Sequence, residues 1–178
     1  MNSNKANTNN EYESQDIGKK TAYMGLFVAL ALICSYVEAL IPIPIGIPGV
    51  KLGLANLVTV MALYLFGTRE ALCIPVLRIL LSGFLFGNAF SILYSLAGGL
   101  FSLLAMWLCK RTNLLHVISV SITGGLAHNI AQLAVAAVIV SNYKILYYIP
   151  VLLAAGVLTG LVIGTLSWEL IIRLAKLR

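Results

Sequence analysis

Arg78 stands near the middle of an apolar run, Ala71 to Gly87. A guanidinium in hydrocarbon costs about 2.5 to 3.5 kcal/mol even on an insertion scale, so something must face it. One candidate is Glu38, in the first apolar run; the other is an anionic ligand held by the guanidinium fork. Further along, His128 and Gln132 are four residues apart and share a helical face, with Asn129 adjoining and Gly124 and Gly125 thinning the helix one turn earlier. Such a patch suits a hydrogen-bonding ligand that approaches the backbone, or hydrogen bonds between helices. Lys51, at the mouth of the second apolar run, and Asn56 inside it complete the substrate-binding candidates.

Catalysis has little to work with. The chain contains no phosphate-binding loop and no nucleophile paired with a base, and its single aspartate, Asp16, lies far from the apolar runs. Metal-assisted diphosphate chemistry needs carboxylates to hold the ion, so binding and transport fit better than bond making, and no catalytic residue is assigned. His116 is more than three helical turns from His128, and Cys34, Cys73 and Cys109 are isolated from one another. Neither a metal site nor a cofactor is expected from that spacing.

The elements that must position these residues are helices in a membrane. With 60% hydrophobic and 10% charged residues over 178 positions, the chain cannot coat a water-soluble globule. Apolar runs at 21–41, 52–66, 71–87, 90–109, 114–141 and 149–172 predict an all-α integral membrane protein of six transmembrane helices. The second run is short for a full crossing. Residues 1–18, rich in Asn, Ser and Glu, predict a disordered cytoplasmic tail ahead of one membrane domain over 19–178. An N-terminus in the cytoplasm leaves Lys5, Lys19, Lys20, Arg69, Lys110, Arg111, Arg173, Lys176 and Arg178 inside, and only Lys51 and Lys144 outside. Both termini of this plasma-membrane protein therefore face the cytoplasm. The net charge of +6 is accounted for by that asymmetry and by attraction to anionic lipid, not by nucleic acid.

Small residues mark where helices can approach. Gly156, Gly160 and Gly164 form a smooth ridge on the sixth helix, and Gly83 and Gly87 repeat the device on the third. Gly25 and Ala29 place a notch on the first. Between the first two runs, three prolines and two glycines over residues 42–49 predict a stiff external loop ahead of Lys51.

Pro48-Gly-Val-Lys-Leu-Gly-Leu-Ala-Asn56, together with Gly124-Gly-Leu-Ala-His-Asn-Ile-Ala-Gln132, resembles the Gx transporter family, whose members are often labelled heptaprenyl diphosphate synthase component I. That family in turn looks like the S components of energy-coupling-factor transporters, six-helix proteins that capture micronutrients. The likeness implies a lid-like first external loop, a pocket for a small anionic or amphipathic solute, and docking through Gly25 and Ala29 on a shared transmembrane subunit driven by two ATPases. The family label implies instead a membrane component of a prenyl synthase. A third implication is a membrane subunit of quinone- or flavin-linked electron export.

Overall fold

The computed structural model describes residues 2–40, 53–141 and 143–176, without the side chains of residues 2–16, 140, 143 and 175. Six α-helices follow in chain order: α1 (Asn2–Leu40), α2 (Leu54–Leu65), α3 (Thr68–Phe86), α4 (Ala89–Arg111), α5 (Val117–Val140) and α6 (Ile149–Ala175). A 3₁₀ turn, Tyr143–Tyr148, leads into α6. The boundaries have local causes. Asn88 caps α4 by accepting from Ser91 N at 2.8 Å, Pro150 sits in the first turn of α6, and Gly67, at φ 114°, makes the turn between α2 and α3. The α1 helix runs from Asn2. No proline and no glycine precedes Gly18, so a helix seeded in the apolar part meets no stop signal on its way back.

Four helical segments are long and apolar enough to cross a membrane: Ile17–Leu40, Ala89–Arg111, Val117–Ile139 and Lys144–Leu174. α2, with 12 residues, is about 18 Å long and falls short of a bilayer core. α3 is interrupted by Pro75 and carries Arg78.

The short helix is the one the others surround. Ala55 and every residue from Val58 to Leu63 are buried, which is the pattern of a helix covered on all sides. It packs with α1, α3 and α6, and its core partners include Phe27, Ala31, Ile74, Met106, Val120 and Ile163. The outer helices turn large apolar side chains outward instead, Phe84 at 80% exposure and Val138 at 73% among them. Lys110 of α4 reaches α2, where Nζ donates to Leu63 O at 2.5 Å and lies 4.6 Å from the Tyr64 ring centroid. This supplies a donor to one of the carbonyls that a helix end leaves unmet.

At the same end of the bundle Lys20 pairs with Glu70, and the His116 ring meets Trp168 with centroids 4.2 Å apart. The middle of α1 and the starts of α3 and α5 thus gather with the ends of α2, α4 and α6.

The glycine ridge of α6 meets α5. A Cβ added at Gly160 would lie 2.6 Å from Ile122 Cα, one at Gly164 would lie 2.8 Å from Ile118 Cα, and one at Gly125 would lie 2.7 Å from Gly156 O. The two antiparallel helices touch backbone to backbone, at a separation that any side chain would prevent.

Two outcomes are expected. Gly160→Ala should lower stability by about 1 to 3 kcal/mol through overpacking, whereas Gly25→Ala, with nothing within 4 Å of the added methyl, should be neutral or stabilising. Equal unfolding midpoints for the two variants in detergent would contradict the backbone contact. Lys20, by bonding the Glu70 carboxyl, holds it below the usual carboxylate range. Because the folded value is depressed, the pair stabilises above the unfolded carboxylate pKa, about 4.3, and that contribution fades as pH falls through the folded value. With Lys20 56% exposed the contribution stays below about 1 kcal/mol. Acid titration of Lys20→Met should therefore show a slightly shallower loss of stability than the parent.

Candidate functional site

Arg78 leaves α3 towards α1, where Nη1 donates to the hydroxyl of buried Ser35 at 3.1 Å. Its Nε is buried, and no acceptor among the described residues reaches it. Glu38 follows Ser35 by three residues and so lies one turn along the same side of α1. Its charge acts on Arg78, yet its Oε1 accepts from Leu54 N at 2.7 Å. Among the described residues no ion pair joins Arg78 to an acid.

The hydrogen bond to Leu54 has a local cause. α2 opens after Gly53, which has φ 73° and no side chain to cap the free amides. Glu38 supplies that acceptor from another helix, with its negative charge at the positive end of the α2 dipole. The bond ties the end of α1 to the start of α2, the two points between which residues 41–52 run.

The remaining candidates are dispersed. Lys51 and the Pro/Gly segment lie outside the described residues. His128 and Gln132 both face α4, since a Cβ on Gly98 would lie 2.7 Å from Gln132 Cγ and 2.8 Å from His128 Cε1. Gln132 is buried. Asn129 turns the other way, and its Nδ2 donates to Leu152 O of α6 at 2.8 Å. Asn56 lines a small interior cavity among α2, α4, α5 and α6. Of two cavities among the described residues, one is lined by none of the six substrate-binding candidates and the other by Asn56 alone. Gly25 and Ala29 are exposed on α1. Among the described residues no three His, Cys, Asp or Glu side chains gather to hold a metal ion, and the three cysteines are free thiols.

Two features went unread in the sequence. Ser35 is one, although a serine three positions before Glu38 in an apolar helix was a visible signal. The other is an apolar groove of about 690 Å³ between α4 and α5, lined by Leu93, Phe101, Ala127, Ala131, Ala134 and Val138 among others. Small residues at helical spacing on α5 carve it, and Leu93 and Phe101 of α4 flank it. Its volume lies in the range of ligand pockets.

Residues 27–170 match the family model described as heptaprenyl diphosphate synthase component I. No curated protein and no solved structure matches the chain.

The Glu38 cap can be tested directly. Glu38→Ala removes the acceptor for Leu54 N and should lower stability by about 0.5 to 2 kcal/mol, whereas Glu38→Gln keeps an amide oxygen there and should retain most of it. Indistinguishable thermal midpoints for Ala and Gln would show that the bond to α2 contributes nothing.

Proposed function

The chain belongs to the heptaprenyl diphosphate synthase component I family, and from that premise we propose that it is a multi-pass membrane subunit that binds an anionic, amphipathic solute without transforming it. The observation that carries this reading is Arg78. A buried guanidinium with an unmet Nε–H, beside an acid whose oxygen is engaged by α2, favours an incoming oxyanion. The outward-facing apolar side chains support a lipid environment, because water-soluble monomers do not expose such continuous apolar surface. The positive-inside pattern supports both termini in the cytoplasm.

A prenyl diphosphate is the ligand class that the family's description suggests, and it combines phosphate oxygens with a long hydrocarbon chain. The α4–α5 groove is an apolar surface of suitable size for such a chain. Among the described residues no set of acids gathers to hold the magnesium that prenyl transfer requires. A component I role is therefore that of holding the lipid for a soluble partner that brings those carboxylates.

A second reading, the S-component-like uptake receptor, is favoured by one specific observation. Gly25 and Ala29 lie open on α1, with nothing near a methyl added at Gly25, which leaves a notch for a shared transmembrane coupling subunit. In that reading the segment 41–52 acts as the lid and Lys51 joins Arg78 at the anion.

Ligand-induced stabilisation separates these views. A bound prenyl diphosphate at 100 times its Kd should add about 2.7 kcal/mol, while the uncharged prenyl alcohol should add much less. Arg78→Leu should fold with a loss of no more than about 1 to 3 kcal/mol, from the hydrogen bond to buried Ser35, and should lose the diphosphate-dependent shift. A structural ion pair would behave in the opposite way, with folding weakened by about 3 to 5 kcal/mol and the shift intact. Uptake into vesicles that requires Gly25 and an ATPase module, with no effect on prenyl transfer by a soluble partner, would establish the second reading over the first.

A further inference from the structure

Four helices bring neutral polar groups to one interior point. Asn56 of α2, Ser102 of α4, Ser121 of α5 and Thr159 of α6 line a cavity of about 10 Å³, measured as the room open to the centre of a water molecule. Gly124, Gly125 and Gly160 give it flat walls, and Met106 borders it. Ser102 and Ser121 are buried. Among the described residues no hydrogen bond engages either serine hydroxyl or the side-chain amide of Asn56. The Thr159 hydroxyl donates to Ala155 O at 2.9 Å, which leaves its own lone pairs available.

Buried polar groups in native proteins find partners, and a polar cavity of this size with two to four donors and acceptors holds one water. We propose that this cavity binds a single water molecule, which bridges Asn56, Ser102 and Ser121 and so fastens α2 to α4 and α5. A larger ligand does not fit. A cation would meet only neutral oxygens, because no acid lines the cavity. Asn56 then positions a water and not the solute, and this site is independent of the anion-binding role of Arg78. The glycines are part of the device: a methyl on Gly124 would fall 2.7 Å from Met106 Sδ and 3.1 Å from Ser102 Oγ, closing the space.

Met106 reports on the site. It is 2% exposed, and Met61, 4% exposed in α2 and absent from the cavity lining, is a matched control. Radiolysis in the presence of a scavenger that quenches bulk hydroxyl radicals should oxidise Met106 to its sulfoxide several-fold faster than Met61, because a bound water generates the radical beside the sulfur. In the double variant Ser102→Ala, Ser121→Ala the Met106 rate should fall to that of Met61. Equal rates at the two methionines in the unaltered protein would overturn the proposal even if the variant fails to fold. An unchanged Met106 rate in a folded double variant would overturn it as well. A Met106 rate that drops when sodium replaces choline at constant ionic strength would assign the cavity to a cation and would equally overturn the water assignment.

Discussion

The hydrogen bond from Leu54 N to the Glu38 carboxylate links the end of α1 to the start of α2 and engages one oxygen of the acid whose charge acts on Arg78. It arises because α2 begins at a glycine in the left-handed region, which permits the turn and offers no cap. The acceptor must come from elsewhere, and α1 delivers the one acid available in its apolar stretch. One oxygen of that acid is engaged at α2, while Arg78 donates to the neutral hydroxyl of Ser35. The anion-binding reading rests on the unmet Nε–H of Arg78 beside these two contacts.

The helices use two opposite kinds of contact. Along α5 and α6, glycines opposite Ile118, Ile122 and Gly125 bring the backbones into direct contact. Between α4 and α5, alanines at 127, 131 and 134 face large side chains and leave a groove. α5 thus presents glycines to α6 on one face and alanines to the groove beside α4 on another.

Much of the framework was legible. Six apolar runs became six helices, because length and hydrophobicity act locally and survive in any packing. The α6 ridge could be read as a contact surface, although its partner could not, since no spacing within α6 distinguishes α5 from another neighbour. The polar candidates fared differently. His128, Asn129 and Gln132 look like one patch when plotted on an isolated helix, yet their side chains divide between α4 and α6. Helical spacing assigns an angle on one helix, and what occupies that angle is decided by long-range packing. Ser35 escaped notice for the same reason: a serine in an apolar helix commonly bonds its own backbone, and its role depends on a guanidinium 43 residues away.

The burial of α2 also constrains how the molecule is made. Its amides at one end await Glu38, which is synthesised earlier, but its outer wall is completed by α6, where Ile163 closes against Gly53. A helix of 12 residues is too short to cross a bilayer core by its own length. The wall around α2 is therefore complete only when the last helix of the chain has packed against it.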